Sequence, residues 1–242
     1  MYFIYKHSDN PFISVIIFMG IEFFTLSFTA LRQMIAVAII INSYSFIKEK
    51  KPIKFILLVL LASLFHKTAI IFLVAYLFRY ISINKKTIII AFVTLLIIQI
   101  IGFDIIIAVA RKIYPYYIPE TIIFSKDGIA QAMLMLFYFI MGLYLYYFQI
   151  NEKDRKEDII LYGIMFMAFF IQSFTNRIPM LNRLMWYFYI FVILFLPNLI
   201  EKVKNNKIKK IAYSGVVFLN VIQFLFSSMQ MYNIIPYEFF IK

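Results

Sequence analysis

Apolar residues fall into long runs along this chain, and short polar stretches punctuate them. Runs near the roughly 20 residues that a membrane-crossing helix needs lie at 12–28, 32–47, 87–109, 129–149, 159–175, 184–200 and 211–228. None alternates strictly between apolar and polar, which argues against a β-barrel. A further run, 55–80, is broken at its centre by "FHKT", where His66 and Lys67 stand in a place that hydrocarbon would exclude them from. The pattern predicts an all-α fold, a polytopic helical membrane bundle forming a single domain over 1–242.

Composition agrees. Hydrophobic residues are 64% of the chain and charged residues 15%, more apolar surface than a soluble domain of 242 residues could bury. There is no Cys, hence no disulfide, thiolate ligand or thiol nucleophile. The opening MYFIYKHSDNP lacks a cationic start, an apolar centre and a small-residue cleavage site, so no signal peptide is expected. The net charge of +12 could suggest nucleic acid. No basic stripe with interleaved aromatics lies outside the apolar runs, however. The excess is read as positive-inside bias, and no nucleic-acid partner is expected.

The basic residues also choose a topology. If "KEKKPIK" (48–54) is cytoplasmic and 55–80 crosses once, Lys and Arg divide 11 inside to 12 outside, leaving Lys67 aside. If 55–65 and 68–80 instead go in and come back, the division is 16 to 7, as the bias demands. Arms of 11–13 residues rise only about 17–20 Å, short of a hydrocarbon core of about 30 Å. The expectation is a re-entrant or kinked hairpin whose tip, FHKT, lies in a wet cavity open to the outer face.

Other polar residues gather on that face. Arg32-Gln33 opens the run 32–47, where helix N–H groups favour an anion. The outer loop 175–183 carries Asn176-Arg177 and Asn182-Arg183, and Arg183 heads a helix continuing through Tyr187. The outer loop 110–128 contains Tyr114, Tyr116 and Tyr117, which suit either stacking on sugars or ordinary interfacial anchoring. Glu22, mid-run in 12–28, and Asp104, in the outer half of 87–109, can each be read as a base, an arginine's partner or a buried, protonated and inert carboxyl, and the inert reading is taken for Glu22. His7 and the inner loops 151–158 and 201–210 are read as surface. No phosphate-binding glycine loop, HExxH, GxSxG or metal-binding acidic pair is found, so neither a nucleotide, a metal nor another cofactor is expected.

The stretch 31–78 resembles the EpsG family of bacterial exopolysaccharide polymerases, which belong with the Wzy-type O-antigen and capsule polymerases. The resemblance rests on Arg32-Gln33 with Ala36, on Lys50-Lys51 with Phe55, and on Ala62 with Phe65-His66-Lys67-Thr68-Ala69. "RLMWYFYIFVILFLP" (183–197) and "YNIIPYEFF" (232–240) are similar to its later helix and tail. Family members carry more apolar helices before the Arg-Gln pair, so a short or N-terminally truncated member is expected. The resemblance implies a multi-pass protein of the bacterial cytoplasmic (inner) membrane, a metal-independent glycosyltransferase joining repeat units carried on undecaprenyl pyrophosphate at the outer face. Membrane lipids, a chain-length regulator and a flippase are the implied partners. On this reading His66 is the base, and Arg32 and Arg183 receive the pyrophosphate. Gln33, Lys67, Asn176, Arg177, Tyr116 and Tyr187 would hold substrate. A lipid-linked oligosaccharide flippase or other transporter, and a membrane acyltransferase, are the alternatives.

Overall fold

The computed structural model describes residues 1–81, 84–102, 104, 105, 108, 112, 127–151, 159–175 and 178–226. Among them every regular element is helical. In chain order these are α1 (Tyr2–His7), α2 (Pro11–Gly20), α3 (Phe23–Thr29), α4 (Leu31–Lys48) and α5 (Pro52–Phe65). A 3-10 arm (Lys67–Tyr80) follows, then α6 (Lys85–Ile97), α7 (Asp127–Tyr144) and α8 (Ile159–Thr175). The described residues end in α9 (Asn182–Tyr189), α10 (Val192–Glu201) and α11 (Asn206–Phe226). Local chemistry sets several starts. Asn10 and Asn84 cap α2 and α6 through their side-chain oxygens, and Pro11 and Pro52 occupy first-turn positions where no amide hydrogen is needed.

Among the described residues two single helices are long and apolar enough to cross a membrane, Gln131–Gln149 and Asn206–Phe226. Two bent pairs raise the number to four if each pair is one span. The apolar helices Pro52–Phe65, Lys86–Ile101 and Ile159–Thr175 are shorter.

The bends correct the reading of 12–28 and 184–200 as continuous helices. α2 and α3 meet at 56°, and the break falls at Glu22, whose φ of 71° is left-handed. Glu22 is therefore a junction residue rather than a mid-helix one, and its carboxylate accepts a hydrogen bond from Gln223 at 3.0 Å. The second pair, Pro179–Tyr189 and Val192–Glu201, bends by 42°. Pro197 lies inside α10 and has no amide hydrogen to give the carbonyl of Ile193. Ser14 of α2 donates its hydroxyl to that carbonyl at 2.6 Å, so the freed acceptor is satisfied from a neighbouring helix. Gly20 lets α2 lie against α11, where a Cβ would collide with Asn220.

α5 runs back along α4, the chain turns at His66, and the 3-10 arm returns beside α5. Phe55 meets Phe72 and Tyr76 with ring centroids 6.1 and 5.3 Å apart. Arg79, near the end of the arm, donates to the Ile47 carbonyl at 3.3 Å, so the excursion starts and finishes at one end of α4. A 3-10 stretch of 14 residues is long for a conformation with strained hydrogen bonds. Its sequence explains it. Ala69, Phe72, Ala75 and Phe78 are the buried residues, spaced by three, and three residues per turn stacks them on one face. Phe72 lies parallel to Phe191 (5.4 Å, 6°) and 5.2 Å from Phe188, while the alanines permit close approach.

Candidate functional site

A cavity of about 480 Å³ opens where three elements meet. The α3–α4 junction supplies Thr29, Arg32 and Gln33, the turn after α5 supplies His66, and α9 supplies Arg183 and Trp186. Residues from positions 32, 66 and 183 thus share one wall because α5 runs back along α4 and α9 packs against both α4 and the 3-10 arm. Gln33 is buried and fixes part of this arrangement, donating its amide to the Arg183 carbonyl at 2.7 Å. Arg32 and Arg183 are exposed, with their guanidinium groups available to a ligand. Ala30 offers α4 no side-chain cap, and it lines the cavity, so the first-turn amides of α4 add partial positive charge there.

His66 is half-buried at the turn, outside both helical arms. Its Nδ1 lies 2.7 Å from the Thr68 hydroxyl and 2.9 Å from the Tyr187 hydroxyl, and the two hydroxyls are 3.3 Å apart. Both partners engage Nδ1, which leaves Nε2 as the nitrogen without a protein partner among these bonds. Burial, and secondarily the Arg183 charge, lowers the His66 pKa below its ordinary 6.5. The ring is therefore neutral at pH 7, the state in which it can accept a proton.

The other sequence-derived residues fall elsewhere. Tyr187 is fully buried, behind His66 rather than lining the cavity. Lys67 is exposed at the turn and does not line it. Asn176, Arg177 and Tyr116 lie outside the described residues. Sequence reasoning passed over Trp186 as a site residue. Its signal was its spacing, since three residues beyond Arg183 on a helix is the same face. Among the described residues no group of three or more His, Asp or Glu side chains is placed to hold a metal ion.

A helical membrane protein with a cationic, histidine-bearing cavity is the class that fold and site define. A family model described as the EpsG family matches residues 1–239, and the chain belongs to that family. It is thus a membrane protein of the polysaccharide-polymerase type. No curated protein and no solved structure matches the chain.

Proposed function

We propose that this chain joins oligosaccharide repeat units carried on undecaprenyl pyrophosphate, acting at the outer face of the bacterial cytoplasmic membrane. The observation that carries the reading is the single cavity shared by Arg32, His66 and Arg183. The hydroxyl of one unit attacks the anomeric carbon of the other, forming the new C–O bond as the bond to pyrophosphate breaks. His66 takes the hydroxyl proton at Nε2, with Nδ1–H donating to the Thr68 oxygen. Arg32 and Arg183, permanently charged and bidentate, receive the negative charge of the leaving pyrophosphate. Trp186 offers an apolar face on which a sugar ring can rest. Tyr187 acts through His66 rather than on substrate, holding the imidazole plane.

His66→Gln keeps size and hydrogen bonding but cannot take the proton. In cells deleted for the gene and supplied with this variant, single lipid-linked repeat units should accumulate outside and no polymer should form. General-base assistance is about 10²–10⁴-fold, so the loss should look complete. Full-length polymer at normal membrane abundance would remove His66 from the mechanism. The two bent helix pairs are a feature that a transporter would share. A flippase would instead trap repeat units inside, and an acyltransferase variant would keep polymer lacking acyl groups.

A further inference from the structure

α6 is tied to α7 and α8 by side chains that reach across a gap. Phe92 sets its ring among those of Phe139, Phe166 and Phe169, with centroids 6.1, 5.8 and 6.2 Å away. Gln99 donates to the Ser173 hydroxyl at 2.6 Å and to its carbonyl at 3.0 Å. Around these ties the gap stays open as a cavity of about 360 Å³, closed at one side by Phe78 at the end of the 3-10 arm. Gly163 of α8 makes room for that ring, which a Cβ would strike.

The cavity does not end behind α6. A second apolar hollow, about 390 Å³, shares Ile88 and Leu143 with it, and the two are compartments of one crevice between α6 and α7. The outer compartment is walled by Ile89, Ile140 and Phe148, which are 62%, 53% and 74% exposed. On a membrane protein such a contiguous apolar face is the one that meets lipid. The crevice thus leads from the lipid-facing surface, past Ile88 and Leu143, into the space behind α6.

Its chemistry selects the occupant. The inner wall is hydrocarbon and aromatic apart from Thr87, Thr94 and Tyr162. The Thr87 hydroxyl donates to the Asn84 side chain at 3.1 Å and the Tyr162 hydroxyl to the Gly142 carbonyl at 2.8 Å. A buried water needs two to four polar partners, which this wall does not offer. A void would forfeit dispersion contacts on every side. Hydrocarbon meets neither cost. Length narrows the choice further, because Thr87 and Ile98 are 11 positions apart, a rise of about 16 Å. That is about half of a 30 Å hydrocarbon core, the depth of one leaflet. The polar start of α6, Asn84-Lys85-Lys86, stands at one end of it, at headgroup level.

We propose that this crevice holds one acyl chain of a glycerophospholipid, drawn from the leaflet at the Lys86 end and entering between α6 and α7. The chain is the packing partner that α6 lacks along this side. A depth of one leaflet suits an acyl chain better than a longer polyprenyl one. The inference is independent of the reaction at His66.

The test uses the full chain in nanodiscs of phosphatidylcholine brominated on its acyl chains, which quenches tryptophan only at short range. Trp186 is the one tryptophan of the sequence, so Trp186→Phe gives a silent background. Into it go three separate reporters: Phe166→Trp inside the crevice, Ile90→Trp on the exposed face of α6, and Phe191→Trp in the bundle core beside Phe72. Quenching of Phe166→Trp should approach that of Ile90→Trp and exceed that of Phe191→Trp severalfold. Quenching no greater than at Phe191→Trp overturns the proposal. Adding Ala91→Phe, which fills the crevice, should lower the quenching of Phe166→Trp severalfold and leave Ile90→Trp unchanged. Undiminished quenching of Phe166→Trp in that variant also overturns it, and the three-reporter comparison decides even if the filled variant fails to fold. Undecaprenyl phosphate added to the same nanodiscs should not relieve the quenching. Relief would give the crevice to a polyprenyl chain and overturn the assignment to phospholipid.

Discussion

His66 draws its character from what surrounds each of its two nitrogens. Nδ1 is occupied by Thr68 and Tyr187, and the neighbouring Arg183 opposes protonation of the ring. Because the pKa is lowered, the neutral ring persists below pH 6.5, and polymerisation should hold on the acid side until the pH falls through that lowered value. Arg183→Gln removes the repelling charge, so the acid limb of the pH–rate profile should move to higher pH. The overall rate should also fall, and a limb that stays in place would mean that Arg183 does not act on the ring. Ser14 is a second residue whose role is specific. It donates to the Ile193 carbonyl freed by Pro197, so Ser14→Ala should cost about 1–3 kcal/mol in thermal or denaturant unfolding. The sequence exposed His66, Arg32 and Arg183 because each interrupts or opens an apolar run. It hid Ser14 and placed Tyr187 on the wrong side of the site, since a buried hydroxyl leaves no trace in hydropathy.

Among the elements, the 3-10 arm makes the sharpest demand on sequence. Its buried face repeats every three residues, Ala69, Phe72, Ala75 and Phe78, and the two small positions admit neighbouring helices. Ala75→Leu should destabilise by about 1–3 kcal/mol through overpacking, whereas Leu77→Ala, on an exposed position, should be nearly silent in detergent-based unfolding. Comparable losses in both would mean that the face is not packed as described. The period of three is visible in the sequence, but spacings of three also line one face of an α-helix, so the pattern alone could not choose. The bends were still less legible. Glu22 reads as one polar residue in a run, and its left-handed backbone is sustained by packing that includes Gln223, 201 positions away. Pro197 marks trouble, yet the break itself lies at Ile190 and Phe191, nearly two turns earlier.

For the whole molecule, the polar groups sort to the two ends of α4. Arg32, His66 and Arg183 share one cavity, and Lys6, Lys48 and Lys202 share the other. Arg79 returns to Ile47, and the in-and-back topology read from the count of basic residues is a proposal for how this hairpin sits in the membrane. With no native Cys, single cysteines report without background. Lys67→Cys should be labelled by an impermeant thiol reagent from outside intact cells, and Lys50→Cys and Asn205→Cys should be shielded. Labelling of the latter two with Lys67→Cys silent would reverse the topology and move the proposed reaction to the cytoplasmic side.

The pairing of His66 with Tyr187 has a consequence for how the protein is made. The partner hydroxyl lies 121 positions later in the chain, and so, nearly, do the Phe188 and Phe191 rings that receive Phe72. At about 5–20 residues per second, the ribosome needs roughly 6–24 s to supply them. Throughout that interval the nascent arm has α5 beside its aromatic row, with Phe55 against Phe72 and Tyr76, but lacks the Phe188 and Phe191 rings on its other side. The turn thus matures among the last parts of the fold, after translation has passed it by. A chain stalled short of Tyr187 would display that unfinished row to lipid, where membrane quality control would meet it first.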